Sequence, residues 1–413
     1  MLIFILLLSL SHLLQAKIEV FFTEPKCLND QNKITLYCDE GDDEVNYHAF
    51  NTPKNKIRHM IKDPNTRELW IAMFDISEPE ILATLCDKLK FSDLKLKILM
   101  NHSKNSAFLN ELVFCAKNNK QASVKLNFHR PDKYHNLFHM KFLLFNPNGL
   151  LKEQKILFSS GNLTKGTYLK HENWNLLSES KINSQLINKH KCVFEAFENS
   201  VSKKSEYREF FEKCTKNELI DKDLEIESFF IPGEGQSYLN KLQELIQNSN
   251  KIIIASHRIT LKPAVIMLKN FLKRGGKLTI YADRDFFTSV IDQKTFKTKE
   301  LIYLLQFYSL GAQIIAVNTN TRHSSLFHHK FILFDQARTK NAWAMLNGSG
   351  NLTISSLLEH PWKIKKQKIS FSKKLRKTNF ENFYFIENEK VSEIYRDYLY
   401  KMPNTPINFL LKK

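Results

Sequence analysis

One ten-residue segment occurs twice in this chain at a fixed distance, and that duplication constrains the fold more than any other feature. Leu137-Phe138-His139-Met140-Lys141-Phe142-Leu143-Leu144-Phe145-Asn146 agrees with Leu326-Phe327-His328-His329-Lys330-Phe331-Ile332-Leu333-Phe334-Asp335 at seven of ten positions, each partner lying 189 residues later. Ser160, Gly161, Asn162, Leu163 and Thr164 recur as Ser349, Gly350, Asn351, Leu352 and Thr353 at the same offset. Two separate polar clusters that keep one spacing predict a duplicated half, each copy built to the same plan. At 413 residues the chain is long enough for two such halves with a core in each.

The order of apolar runs points the same way. Strands are expected at Ile18 to Phe22, Leu69 to Phe74, Leu94 to Met100 and Val124 to Phe128. Helical patterns follow Pro79 (Ile81, Leu82, Leu85) and cover Ala107 to Ala116. The second half repeats the sequence of signals. It offers Phe229 to Ile231, a helix on Tyr238, Leu242, Leu245 and Ile246, and a strand at Ile252 to Ala255. A helix from Pro263 to Lys273 is stopped by Gly275-Gly276; Leu278 to Tyr281, a helix from Thr298 to Leu310, and Ile314 to Val317 follow. Strand alternating with helix predicts an α/β fold, with a largely parallel or mixed sheet covered on both faces. The charged stretch 215–227 is expected to be a linker, giving halves at 17–214 and 228–413.

Residues 1–16, MLIFILLLSLSHLLQA, are apolar and end in a small residue. They fit a secretory signal cleaved near Ala16, with an uncleaved anchor or a buried first strand as the alternatives. The run is too short for an ordinary membrane span, and no later stretch replaces it. The mature chain is therefore expected to have no transmembrane segment and to be exported, to a periplasm or outside the cell. Six cysteines, Cys27, Cys38, Cys86, Cys115, Cys192 and Cys214, all fall in the first 214 residues. An even number suits an oxidising compartment, and sequential pairing is one of 15 possible connectivities. No CxxC pair or Cys/His spacing points to zinc, and no cofactor is expected. Lysine and arginine number 61 against 43 aspartates and glutamates, a net charge of +18. Such a field attracts nucleic acid, anionic lipid headgroups and polyphosphates alike, or reflects no more than a lysine-rich surface.

The chemistry lies in the repeat. Phe142 to Phe145 and Phe331 to Phe334 are four-residue apolar runs, as expected of strands buried on both faces. In each copy His and Lys stand two apart just before the run, so a period of two puts them on one side of the strand. An imidazole and an ammonium converging there make a site for a phosphate ester: Lys supplies positive charge, and His exchanges a proton or attacks phosphorus. Ser160 or Ser349 and Asn162 or Asn351 are expected to donate to nonbridging oxygens from a small glycine-containing turn. Asn-Leu-Thr alone would be a glycosylation sequon. Its recurrence beside the His/Lys pair makes that reading secondary.

HxKxxxxD followed by Ser-x-Asn, present twice, resembles the phospholipase D superfamily across residues 17 to about 405. The second copy fits completely with His328, Lys330, Asp335, Ser349 and Asn351; the first has Asn146 where the family usually has an acid. The resemblance implies two similar halves, each a mixed β-sheet flanked by helices, related by a pseudo-twofold axis, in a monomer whose single cleft needs no metal. It implies His139 as the nucleophile that forms a phosphohistidine and His328 as the acid/base, though the near symmetry of the sequence leaves the order open. Glu172 and Glu381 are the matching places for the carboxylates that orient the two imidazoles, although their offset is 209 instead of 189. Lys141, Asn146 and Lys330 complete the expected site, with Asn146 giving Lys141 less electrostatic support than an acid would. The 20 extra residues hold Lys363, Lys365, Lys366, Lys368, Lys373, Lys374, Arg376 and Lys377, with no acid between 361 and 380. They form either a basic loop over the cleft mouth or a solvated surface. The implied activity is cleavage of a phospholipid, anionic or zwitterionic, at a membrane surface. The alternatives are a metal-independent nuclease and a catalytically weakened phosphate-binding protein.

Overall fold

The computed structural model describes residues 17–23, 27–28, 34–35, 43–44, 52–102, 106–131, 135–150, 153–178, 181–200, 211, 213–214, 226–283, 287, 299–317, 326–335, 343–358, 362–365, 368–371, 378–402 and 405–406. The expected signal at 1–16 lies outside them, as do Cys38, Lys366, Lys373, Lys374, Arg376 and Lys377. Most of the expected linker is also outside; its last two residues, Ile226 and Glu227, open a strand instead.

In the first half the chain runs β1 (Lys17–Thr23), α1 (Pro53–Lys62), β2 (Glu68–Met73), α2 (Pro79–Phe91), β3 (Lys95–Asn101), α3 (Ser106–Ala116), β4 (Ser123–His129), β5 (His135–Phe138), β6 (Lys141–Phe145), β7 (Lys155–Ser159), β8 (Lys170–Ser178) and α4 (Lys181–Ser200). The second half runs β9 (Ile226–Ile231), α5 (Gly235–Asn248), β10 (Lys251–Ser256), α6 (Lys262–Lys273), β11 (Lys277–Asp283), α7 (Lys299–Ser309), β12 (Gln313–Val317), β13 (Leu326–Phe327), β14 (Lys330–Phe334) and β15 (Ala344–Gly348). A hairpin of β16 (Trp362–Lys365) and β17 (Lys368–Phe371) precedes β18 (Thr378–Ile386), α8 (Glu389–Tyr400) and β19 (Thr405–Pro406).

The first sheet has the order β1-β8-β7-β6-β2-β3-β4, and the second β9-β18-β15-β14-β10-β11-β12-β19. Apart from the extra edge strand β19, they match strand for strand. In each, one parallel trio (β2, β3, β4 or β10, β11, β12) is joined by crossover helices, and the motif strand runs antiparallel against its first member. The two exceptions are reciprocal. β5, just before His139, pairs with β18 of the second half, and β13, just before His328, pairs with β8 of the first.

Alternation along the motif strands explains their unbroken apolar run. Phe142 and Leu144 of β6, with Phe331 and Leu333 of β14, face one central core that also holds Phe194 and Phe197 of α4 and Tyr395 and Leu399 of α8. Leu143 and Phe145 face the outer layer of α1, α2 and α3, and Ile332 and Phe334 face α5, α6 and α7. Each such side chain contributes about 1.5–3 kcal/mol on burial, so the motif strand is fixed from both faces. Helix starts follow capping chemistry: the Thr52 side chain accepts from the Asn55 N–H at 3.3 Å with Pro53 in the first turn, and Asn388 accepts from the Val391 N–H at 3.1 Å. Cys86–Cys115 ties α2 to α3, and Cys192–Cys214 is a second disulfide. No helix among the described residues is long and apolar enough to cross a membrane.

The central core encloses histidines that have no access to water. His190 donates from Nδ1 to the Leu186 carbonyl at 2.7 Å and accepts at Nε2 from the Tyr384 hydroxyl at 2.7 Å. Burial pushes its pKa down to about 3, and that of His171 to about 4. An unfolded histidine takes its proton near pH 6.5, so below that value the unfolded state binds more protons and stability falls with pH. Between pH 6.5 and 5 the loss is roughly 2 kcal/mol for each such histidine. Urea unfolding at pH 7 and pH 5 measures it. An unchanged midpoint would contradict neutral burial of these rings.

Candidate active site

The motif lysines begin their strands. Lys141 pairs in register with Met73, the last residue of β2, and Lys330 with Ser256, the last of β10. Both therefore stand at the carboxyl ends of the parallel trios, where open α/β sheets place ligands. Lys141 Nζ donates to the His139 carbonyl and Lys330 Nζ to the His328 carbonyl, each at 2.9 Å. Lys330 Nζ is also 2.9 and 3.0 Å from the two ring nitrogens of His328. Near-equal distances to both place it over the imidazole face, not in line with either lone pair.

Each imidazole is held by the opposite half. His139 Nδ1 lies 2.7 Å from Glu381 Oε2, and His328 Nδ1 lies 2.6 Å from Glu172 Oε1. The backbone repeats the exchange: the His139 N–H donates to the Phe380 carbonyl at 2.9 Å and the His328 N–H to the His171 carbonyl at 3.0 Å. These bonds continue the β5–β18 and β13–β8 pairings, so the crossing strands carry each histidine to the other half's glutamate. Side-chain exposure is 16% for His139 and 14% for His328, against 0% and 1% for Glu381 and Glu172. The imidazoles alone in each pair reach the cleft. The two rings share one electrostatic neighbourhood, with His139 among the charges that depress His328.

The serines do something other than expected. Ser160 Oγ donates to Glu172 Oε2 at 2.6 Å and accepts from the Asn173 N–H at 2.9 Å. Ser349 Oγ donates to Glu381 Oε2 at 2.7 Å and accepts from the Asn382 N–H at 2.9 Å. A hydroxyl has one proton, and here it is committed to the glutamate, so neither serine is a donor to phosphate. The glycine next to each serves the same pair: a Cβ on Gly350 would stand 2.9 Å from Glu381 Cδ, and one on Gly161 3.1 Å from Glu172 Cδ. The carboxamide oxygens of Asn162 and Asn351 are buried with no hydrogen-bond partner among the described residues.

Asn146 and Asp335 also depart from expectation. Asn146 Oδ1 accepts from the Arg67 and Glu68 N–H groups at 2.9 and 3.0 Å, and Asp335 Oδ1 from those of Asn250 and Lys251 at 2.8 and 2.7 Å. Both clasp the entry of the neighbouring strand. They stand five residues from the motif lysine, about 16 Å along an extended strand, so they belong to the scaffold and not to the reacting centre. The proposed weakening of Lys141 by Asn146 has no geometric basis. Asparagine fits its place: its φ is 48°, a left-handed conformation that asparagine tolerates better than most residues, and its Nδ2 donates to the Asn65 carbonyl at 2.8 Å.

Burial pushes both imidazoles below their ordinary pKa, with Glu381 opposing the effect at His139 and the lysine charges reinforcing it at His328. Burial drives Glu172 up against the pull of Lys330. It works the same way on Glu381, where His139, Lys141 and Ser349 together overcome it and hold the carboxyl below its ordinary value. Burial brings Lys141 down to about 7 and Lys330 to about 8. Among the described residues no group of three or more His, Cys, Asp and Glu side chains is arranged to hold a metal ion.

Three site features gave no clear signal in the sequence. Asn382 Oδ1 accepts from the Lys141 N–H at 2.7 Å, a further bond across the halves. Phe74 and His257 flank His139 and His328. Asn382 sits beside Glu381, and Asn173 beside Glu172, so the repeated Glu-Asn pair was the available clue.

A family model described as cardiolipin synthase, PLD-like domain, matches residues 57–197. The first half thus matches a PLD-like domain, and the second half repeats its His-x-Lys motif. Its fold is similar to that of phosphatidylserine synthase from Haemophilus influenzae Rd KW20, with a TM-score of 0.58 and 11% identity over 83% of this chain and 82% of that one. It is also similar to polyphosphate kinase from Porphyromonas gingivalis, with a TM-score of 0.52 and 10% identity over 92% of this chain. The match spans 49% of that kinase, so the chain covers about half its length. No curated protein matches the sequence. Within this fold, Asn146→Asp would set a carboxylate oxygen against the Asn65 carbonyl. We expect a loss of about 1–3 kcal/mol in stability by denaturant titration, with no gain in turnover.

Proposed function

We propose that the chain is a phosphodiesterase of phospholipase D type that cleaves a phospholipid to phosphatidate and free headgroup through a covalent phosphohistidine. The observation that carries this reading is the reciprocal pairing of His139 with Glu381 and His328 with Glu172. Glu381, held anionic, accepts the Nδ1 proton of a neutral His139 and leaves the Nε2 lone pair free to attack phosphorus. The Nε2–P bond forms as the P–O bond to the headgroup breaks, and His328 protonates the departing oxygen. Water then gives its proton to His328 as its oxygen displaces Nε2. At the second pair, burial favours neutrality in both Glu172 and His328, which suits a proton that must come and go. Lys141 and Lys330 offset the charge on the nonbridging oxygens, and the carboxamides of Asn162 and Asn351 donate to them.

The match to a cardiolipin synthase-type domain supports a lipid diester. The net charge of +18 favours a second reading, a metal-independent nuclease. Two disulfides support action outside the reducing cytoplasm.

Purified protein incubated with chelator separates the readings. Choline release from phosphatidylcholine vesicles without nicking of plasmid DNA supports the lipase; the opposite pattern supports the nuclease. His139→Ala and His328→Ala are each expected to lower turnover by at least ~10³-fold, and near-normal turnover in either would reject the two-histidine mechanism. The lysines lose charge as pH rises through about 7 for Lys141 and about 8 for Lys330. Accordingly kcat/KM should decline on the alkaline side, and a profile flat to pH 10 would show that neither ammonium supports catalysis.

A further inference from the structure

The two rims of the cleft differ in charge. Lys170 stands two residues before Glu172 on β8, so a period of two puts both side chains on the same side of the strand. Its counterpart, two residues before Glu381 on β18, is Asn379. Lys170 pairs in parallel register with Leu326 of β13, which lies two residues before His328. From strand spacing and rise, its Cα is about 8 Å from that of His328. Thr23 fixes this stretch of backbone: its Oγ1 donates to the Lys170 carbonyl at 2.8 Å and accepts from the Glu172 N–H at 3.1 Å.

Asn379 is engaged within the protein. Its Nδ2 donates to Glu381 Oε1 at 3.1 Å, and its Oδ1 accepts from the Leu137 N–H at 3.4 Å. Lys170 is half-buried, and among the described residues its ammonium enters no ion pair or hydrogen bond. Its positive charge acts on Glu172 and His328, and also on both motif lysines. The His328 side of the cleft thus carries a cation beyond the motif lysines, where the His139 side has an amide bound to its own glutamate.

An ammonium on a phosphate or carboxylate oxygen makes a charge-assisted hydrogen bond, roughly twice as strong as a neutral one. We infer that Lys170 is a specificity-determining residue that binds a second anionic group, carried by the headgroup of the lipid. The inference rests on the proposed mechanism, in which the departing oxygen lies in line opposite His139 Nε2 and therefore beside His328. The headgroup leaves on that side, so its substituents extend toward the rim that Lys170 occupies. Lys170 exchanges no proton and leaves the two displacements as they are. It favours anionic headgroups over uncharged ones, and choline, a cation, over neither.

The test mixes phosphatidylglycerol in equal amount with phosphatidylglycerophosphate, which carries one more phosphate on the same headgroup, in neutral detergent micelles. Glycerol and glycerol phosphate are released by one enzyme from one surface, so their ratio does not depend on how much protein is folded or how strongly the micelle attracts it. The wild type should favour glycerol phosphate. Lys170→Asn, which copies the second half, should lower the ratio of glycerol phosphate to glycerol about tenfold, the weight of one hydrogen bond to a charged group. Lys170→Gln carries the same expectation should the asparagine variant not fold, and Lys170→Arg should stay within about threefold of the wild type. An unchanged ratio in Lys170→Asn or Lys170→Gln overturns the inference, as does an equal fall in Lys170→Arg, which would assign the effect to shape. Release of both alcohols by the wild type without preference overturns it and leaves the lipase reading standing. Release of neither rejects that reading and takes this inference with it.

Discussion

The hydrogen bond between each catalytic imidazole and a glutamate of the opposite half is the interaction on which the rest of the molecule converges. A buried carboxyl group is costly without partners, and here each is met by a serine hydroxyl and an imidazole nitrogen. The serine in turn is fixed by a backbone N–H one residue beyond the glutamate, so the carboxylate, the hydroxyl and the β8 or β18 strand form one unit. Glycine at positions 161 and 350 keeps the space that unit occupies. The repetition of Ser-Gly-Asn in the two halves is explained by support of a carboxylate as much as by contact with substrate.

The sheets serve this arrangement. An active site made from two equivalent halves needs each to reach across, and the short strands β5 and β13 do so by leaving their own sheet for the other. The residue between His and Lys shows what the crossing demands. Met140 and His329 both turn into the central core, Met140 against aromatic and aliphatic side chains, His329 against the Tyr398 hydroxyl at 3.1 Å. Buried polar groups on the His328 side and hydrocarbon on the His139 side extend inward the difference already seen between His257 and Phe74.

Much of the scaffold was legible in the sequence because its signals are local. The apolar runs that became β2, β3, β4, β10, β11 and β12, with their crossover helices, have the period and the stop signals of their elements. The crossing of β5 and β13 was not legible, because pairing between residues such as His135 and Thr378 leaves no trace in either segment alone. Helices α4 and α8 have a related dependence on the whole: they bury their apolar faces between the sheets, a layer that exists only once both halves are folded. At the site, His139, Lys141, His328 and Lys330 were readable from spacing. Asn146, Asp335, Ser160 and Ser349 were readable as positions but not as roles, since residue type gives the hydrogen-bonding capacity and only the fold says which group uses it. The hairpin β16–β17 accounts for the shift in offset from 189 to 209 between the Ser-x-Asn element and the glutamate strand.

The exchange of β5 and β13 makes the two halves mutually templating. Neither holds a finished catalytic pair: the first contributes His139 and Glu172, the second His328 and Glu381, and each imidazole finds its carboxylate only in the other. Covalent continuity between the halves is thus incidental to the chemistry. A gene split between them could encode two fragments that rebuild the cleft by complementation, whereas a lone fragment would retain both kinds of side chain and orient neither.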